Sequence, residues 1–470
     1  MLRQSLNGDW QFHQIGSEEW LPAVVPGGVH TDLIAAGRIP DPFDADNELK
    51  VQWVADSDWT YRHTFQVSPE LLANDVVELV CDGLDTLAKI NLNGILLGTA
   101  ENAFRQYRWE VKNLLTAGEN ELVVNFASPT RFGAARNQER MLNMANDALP
   151  GAPYLRKPPC HFGWDWGPKL PAGGIWRDIR LEGSQIARLE DVHISQRHEA
   201  ASVFLDVRIQ ATVWRSEKIS ARISLTNPDG RVFLTKVQLT DGVGQVLIPV
   251  KEPQLWWPNG YGAQPLYQVE VILLAESQEL DRQQIQIGLR TLELRQELDE
   301  WGRSFTFVVN GVPIFAKGAN WIPSDSFPTR LTPTHLEHLI HSAALAHQNM
   351  LRVWGGGYYE DETFYDLCDQ YGILVWQDFM FACAIYPFDD PAFVENVRHE
   401  VIYNVRRLRH RACLALWCGN NEMEAGWASW GWSRPDAAGL KEADIAFFYK
   451  TLPAWIQAED PDHFYWYSSP

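Results

Sequence analysis

The sequence predicts a multidomain protein in which two β-sandwiches precede a parallel sheet built from βα units. Three observations carry this. Residues 1–182 read as short strands separated by turn chemistry, with no long helical period between them. Residues 183–288 repeat that style with fewer aromatics, over a span of about 100 residues that suits an immunoglobulin-like sandwich. From 289 to 470 the rhythm changes to strand, helix, strand, helix, the signature of parallel strands with crossover helices.

In the first segment, strands are expected over 76–81, 87–92, 121–126 and 175–181, with Asn93-Gly94 making a tight type I′ hairpin turn. In the second, 201–210, 219–225 and 232–239 alternate apolar and polar residues, and Asn227-Pro228-Asp229-Gly230 turns between two of them. In the third, 312–316 is expected as a strand running into Gly318-Ala319-Asn320-Trp321. Thr332 then caps a helix that has Pro333 at its first position. Strands over 350–354, 373–376 and 414–418 follow, with helices near 360–371, 391–409 and 441–456, and a last strand over 464–468. Five strands are thus expected. A closed barrel of this kind needs eight, so the chain is expected to stop within a domain.

Bulk composition narrows the chemistry. A chain of 470 residues with 46% hydrophobic and 21% charged residues is ordinary globular protein. The net charge of -20 argues against nucleic acid, whose phosphates need a positive partner surface, and against anionic lipid. A neutral glycan is compatible with it, and 21 tryptophans suit a carbohydrate cleft. The six cysteines form no CxxC pair and no zinc spacing, and read as free thiols of a reducing compartment. With no signal-like amino terminus and no apolar run of membrane length, a soluble, cytoplasmic protein is expected.

The chemistry centres on Leu414–Glu422, an apolar strand that breaks at Gly419 into Asn420, Asn421 and Glu422. Residues just past the carboxyl ends of parallel barrel strands face the mouth where substrates bind. Trp427, Trp430 and Trp432 follow. Taken alone, Glu422 reads equally as a carboxylate favoured by a helix start. Matching polar endings at Asn320-Trp321, Arg352 with Trp354, and Gln377-Asp378 favour a shared pocket. Gly355-Gly356-Gly357 lacks the spacing of a phosphate loop and is expected to be a flexible loop keeping the mouth open. His335, His338 and His341 read as a solvated helix face, and Arg406, Arg407, Arg409 and Arg411 as charges facing the negative end of a helix dipole. No GxSxG elbow or cofactor motif is found, and no cofactor or metal is expected. The stretch Lys157–Pro168, rich in Gly, Pro and Trp, reads either as a rigid corner of its own sandwich or as a loop that carries Trp164 and Asp165 into the mouth.

Several of these stretches resemble the β-mannosidases of glycoside hydrolase family 2. They are Leu6–Trp10, Pro26–His30, Ser57–Tyr61, His161–Pro168, Trp256–Gly260, Gly318–Trp321, Arg352–Gly357, Trp376–Phe379 and Trp417–Glu422. The resemblance implies a jelly-roll sugar-binding-like sandwich, an immunoglobulin-like sandwich and a catalytic (β/α)₈ barrel. It further implies release of terminal β-mannose with retention of configuration, with Glu422 as general acid/base and Asn421 holding the sugar's 2-hydroxyl. Trp354 and Trp430 would line the pocket, Arg352 would orient carboxylates, and Trp164 with Asp165 would reach hydroxyls at the far side of the sugar ring, with Asp378 a weaker member of the set. The nucleophile is expected beyond Pro470, so that residues 1–470 alone are expected to be inactive. The partners expected are β-mannoside oligosaccharides or glycans from glycoconjugates, with a homodimer left open. A galactosidase, glucuronidase or glucosaminidase of the same family is the alternative, as is a non-catalytic carbohydrate-binding fragment.

Overall fold

Residues 119–126 show how the first sandwich forms. Asn120, Leu122, Val124 and Phe126 alternate inward and are buried, while Glu119 and Glu121 face solvent. The strand pairs antiparallel with Trp59–Gln66 on one side and Ala88–Leu92 on the other. The computed structural model describes residues 1–145, 147–171, 173–200 and 202–469. Within it a six-stranded sheet faces a four-stranded one, Leu2–Ser5, Ile179–Ser184, Val76–Cys81 and Tyr107–Glu110. Between them lies one apolar core that includes Phe12, Tyr61, Leu79 and Ile90. Asn93 and Gly94 both have left-handed φ, +51° and +78°, as a type I′ turn requires. Two features differ from the reading of the sequence. The expected strand at 175–181 is split into Gly174–Ile175 and Ile179–Ser184. The segment also contains an eleven-residue helix, Pro129–Glu139, capped by Ser128 and led by Pro129, whose apolar face is too weak to reveal a period.

The second sandwich packs three strands, Ala187–Glu199, Ser202–Val213 and Val243–Lys251, against four others. Leu205, Val207, Ile223 and Val271 meet in its core. Ala201, with which the expected strand 201–210 begins, lies outside the described residues. Leu292–Arg295, Thr306–Val309 and Val312–Ile314 then form a separate antiparallel meander. Residues 312–316 are therefore no part of the parallel sheet, because Val312–Ile314 spends its hydrogen bonds on Thr306–Val309.

The parallel sheet has five strands: β1 (Gly318–Trp321), β2 (Met350–Val353), β3 (Leu374–Asp378), β4 (Leu414–Cys418) and β5 (Phe464–Trp466). Helices α1 (Pro333–Leu345), α2 (Glu362–Tyr371) and α3 (Pro391–Leu408) make the crossovers, and α4 (Met423–Ser429) opens directly behind the β4 loop. The β4 strand is an uninterrupted apolar run, and β3 begins as one before ending in Gln377-Asp378, because both faces of a parallel sheet are covered. Among the described residues no helix is long and apolar enough to cross a membrane.

The arginine run at the end of α3 puts Arg406 and Arg407 in the helix's last turn, as expected for charges facing its negative end, and it also makes ion pairs. Arg406 pairs with Glu459 at 2.7 Å, Arg407 with Glu362 at 2.7 Å, and Arg409 with Asp191 of the second sandwich at 2.5 Å. Arg411 pairs with Glu362 and Asp366. These ion pairs tie separate elements together, a role that a sequence-local reading could not show.

The first sandwich is locked to the barrel by Arg156 and Glu400, whose side chains are 1% and 0% exposed. Arg156 donates to both Glu400 oxygens, at 2.9 and 2.6 Å, and to the Met380 carbonyl at 2.8 Å. Asn102 and Tyr359 donate to the same carboxylate. Removing one partner from a buried, saturated pair strands the other charge. Arg156→Ala is therefore expected to lower stability by about 3 kcal/mol or more, read from thermal unfolding. An unchanged unfolding curve would show that the lock contributes nothing.

Candidate active site

Where β2 and β4 end, their loops meet the first sandwich around a cleft of about 580 Å³. That lies within the roughly 300–1,000 Å³ usual for small-ligand sites. Trp164, Asp165, Arg352, Trp354, Asn421, Glu422 and Trp430 all line it. The structure thus brings seven of the eight expected site residues together.

The eighth, Asp378, is not a lining residue. It sits fully buried beneath the floor, where Arg352 Nη2 donates to its Oδ2 at 2.7 Å and Nε to its Oδ1 at 3.2 Å. Gly355 N–H and Trp376 Nε1 donate to it as well. Burial raises this carboxyl above its ordinary value, and the Arg352 charge pulls the other way. Asp378 holds Arg352 and is screened by it from any ligand.

Glu422 resolves the ambiguity of its position. It stands at the N-terminus of α4 with left-handed φ +59°, yet its side chain caps nothing. The Met423 N–H is capped instead by Asn420 Oδ1 at 3.1 Å. The Glu422 carboxylate turns to the cleft, where Oε2 accepts from Asn421 Nδ2 and from Cys383 Sγ, both at 3.2 Å. Its backbone N–H donates to the Ser469 carbonyl at 3.1 Å, so the loop after β5 also braces it. A non-glycine residue in the left-handed region persists where its surroundings hold it there, and such residues cluster at functional sites.

Both readings of the Lys157–Pro168 loop describe part of it. Its base is a buried corner: Lys157 Nζ reaches Asp85 at 3.0 Å, and Cys160 N–H donates to the Gly356 carbonyl at 2.9 Å. Its tip is a tight turn in which Trp164 and Gly167 exchange backbone hydrogen bonds of 3.2 Å. The turn sets the Trp164 ring edge-on to Trp354 at 4.7 Å and Trp166 against the same ring at 5.7 Å.

The three glycines beside Trp354 are buried and form no flexible loop. A Cβ on Gly355 would lie 2.7 Å from the Phe381 carbonyl oxygen, and one on Gly357 2.9 Å from Pro323. They are there because backbone passes close by, and the Gly355 N–H is needed by Asp378. Trp427 and Trp432 pack with Leu142 and Ile385 in a cluster of their own, leaving Trp430 at the cleft. Glu424 turns away to accept from Tyr449. His335, His338 and His341 are exposed on α1. Asn320, expected at the pocket as a polar strand ending, lines the cleft, and so do Cys383, Trp166 and Ile322, which were not singled out as site residues. For Cys383 no spacing signal existed; Trp166 and Asn320 lay inside motifs already quoted.

A carboxylate among indoles and amides at the ends of parallel strands, faced by a loop of the first of two β-sandwiches, is the arrangement of a modular glycoside hydrolase. Residues 10–177 match the family described as glycosyl hydrolase 2 galactose-binding domain-like, and residues 187–290 match glycosyl hydrolases family 2. The chain is 38% identical over 483 residues to beta-mannosidase B of Aspergillus fumigatus, covering 99% of this chain and 57% of that protein. Beta-mannosidase of Rattus norvegicus is 34% identical over 486 residues, covering 99% and 55%. The crystal structure of a beta-D-mannosidase from Dictyoglomus thermophilum superposes with a TM-score of 0.94 at 40% identity, over 100% of this chain and 58% of that one. An exo-chitosanase from Amycolatopsis orientalis shares the fold, with a TM-score of 0.73 at 18% identity over 94% and 52% of the two chains. The chain belongs to glycosyl hydrolase family 2. It spans a little over half the length of the curated relatives it matches.

Trp321 leads away from the cleft, its Nε1 donating to Glu360 Oε1 at 2.8 Å. Burial pushes the Glu360 carboxyl up to about 7, against the opposing pull of that hydrogen bond. The folded state therefore binds more protons than the unfolded one between about pH 4.5 and 7, and stability falls as pH rises through that window. Glu360→Gln keeps an acceptor for Trp321 and removes the titration. Its stability relative to the parent should rise by roughly 3 kcal/mol from pH 4 to pH 8, read from denaturant unfolding. A difference that stays flat with pH would refute the assignment.

Proposed function

We propose that this chain carries the acid/base half of a retaining exo-β-mannosidase, which hydrolyses terminal β-D-mannose from oligosaccharides or glycoconjugate-derived glycans. The observation that carries this is the Glu422 carboxyl. One of its oxygens is anchored by Asn421 and Cys383, while the other accepts no hydrogen bond from a described residue, and it opens on a cleft walled by Trp164, Trp354 and Trp430.

In the proposed reaction Glu422 donates its proton to the glycosidic oxygen as that bond breaks. A second carboxylate, about 5–5.5 Å away, attacks the anomeric carbon and forms a glycosyl ester. Glu422 then takes a proton from water, which displaces the ester and restores the starting configuration. Such a nucleophile has no candidate among the residues lining the cleft, where the other carboxylate is Asp165 on the sandwich loop. It is assigned to a later barrel strand, beyond Pro470. In this reading Asn421, beside Glu422 in the cleft, holds the sugar's 2-hydroxyl, and the indoles cover its apolar C–H faces. Six free, buried cysteines support a reducing, cytoplasmic setting.

The likeness to β-mannosidases at 34–40% identity favours mannose over the other sugars of the family. The test uses the protein expressed from its whole reading frame. It should release mannose from aryl β-mannosides in preference to galactosides, glucuronides and glucosaminides. Glu422→Gln should lower turnover of a poor leaving group by about 10²–10⁴-fold and affect an activated leaving group much less at bond cleavage. Full activity of that variant on the poor leaving group would overturn the acid/base role.

A further inference from the structure

Asn421 has a fixed orientation. Arg352 Nη2 approaches its side chain at 2.9 Å, and a guanidinium has donors only, so the atom facing it is Oδ1. Nδ2 is thereby turned to the other side, where it donates to Cys383 Sγ and to Glu422 Oε2, each at 3.2 Å. With Nδ2 supplying the sulfur, the single thiol hydrogen of Cys383 is left for Glu422 Oε2, again at 3.2 Å. The direction of every bond in this series follows from the one before it, starting at Asp378.

The backbone holds the thiol in place. Cys383 has left-handed φ +47°, and its N–H donates to the Asn421 carbonyl at 3.0 Å, while the Asn421 N–H donates to the Phe381 carbonyl at 2.9 Å. Two non-glycine residues in the left-handed region, Cys383 and Glu422, thus flank one short backbone pairing and meet through their side chains. Only 1% of Cys383 is exposed, at the wall of the cleft.

We propose that Cys383 is a positioning residue for the acid/base: with Asn421 it saturates Glu422 Oε2, so that the catalytic proton is carried on Oε1, toward the substrate. This rests on the acid/base reading of Glu422. An oxygen already accepting two hydrogen bonds is a poor place for a proton, because a carboxyl that carried it there would lose at least one of them. Burial, and then the hydrogen bond to Glu422, pushes the Cys383 thiol far above its usual range, so it stays a donor at any physiological pH. Among the described residues, the other charged groups lining the cleft are Arg352 from β2 and Asp165 on the sandwich loop, with Asp378 from β3 behind Arg352. Substitution at Cys383 leaves all three in place.

Two measurements test the proposal. The first is the pH profile of kcat/KM on an aryl β-mannoside with a poor leaving group, using the protein from its whole reading frame. Loss of a donor to the carboxylate favours the protonated form. Cys383→Ala should therefore move the basic limb up by about half a pH unit to one unit and lower kcat by misorienting the proton. Cys383→Ser, which restores a donor, should bring the limb back. A Cys383→Ala limb that coincides with the parent's would overturn the proposal. The second needs no activity and serves where the alanine variant fails to fold. The S–H stretching band of Cys383, isolated as parent minus Cys383→Ser, should lie at low wavenumber and rise in Glu422→Ala. A band indifferent to Glu422→Ala would equally overturn it. Glu422→Gln retaining full activity is a separate result: it would remove the acid/base role while leaving the band shift intact.

Discussion

The site depends on one asymmetry of hydrogen bonding: Arg352 can only donate. Its ion pair with buried Asp378 fixes the guanidinium, its remaining reach fixes the Asn421 amide, and the amide fixes which groups can approach Glu422. Each step trades an otherwise costly buried polar group for a satisfied one. Reversing any single member would leave two donors or two acceptors facing each other. The orientation of a half-buried carboxylate is thus set by a carboxylate on the neighbouring strand, acting through Arg352 and Asn421.

A second constraint operates at larger scale. The cleft is walled on one side by barrel loops and on the other by a loop of the first sandwich, so it exists only while those two units are held in register. Arg156 and Glu400 supply a buried ion pair between them, and Cys160 binds the Gly356 backbone at the loop's base. The glycines beside Trp354 let the backbones approach closely enough for this contact. Trp164 and Trp166 are delivered against Trp354 as a consequence, and the indole wall is a product of docking as much as of the barrel.

Much of this was legible in the sequence wherever a local rule applied. The Asn93-Gly94 turn, the Thr332 cap and the apolar runs of β3 and β4 follow from short-range chemistry, and so does the succession of polar strand ends that mark one rim. What the sequence withheld was partnership. Asp378 stands at a strand end like the lining residues, and only the fold shows that Arg352 comes between it and the cleft. The arginines after α3 pair across elements far apart in the chain. Within residues 312–316, Val312–Ile314 form a strand as the composition suggests, but its hydrogen bonds go to an antiparallel neighbour. Cys383, a single cysteine in an apolar stretch, had nothing to distinguish it until the backbone set it opposite Glu422.

The most direct test is the structure of the protein from its whole reading frame with an unhydrolysed β-mannoside bound. The expected result places the glycosidic oxygen within about 2.6–3.2 Å of Glu422 Oε1, with Oε2 still on Asn421 and Cys383 and the sugar ring between Trp164, Trp354 and Trp430. A sugar bound outside this cleft, or a Glu422 carboxyl turned away from the glycosidic bond, would contradict the assignment on which the rest is built.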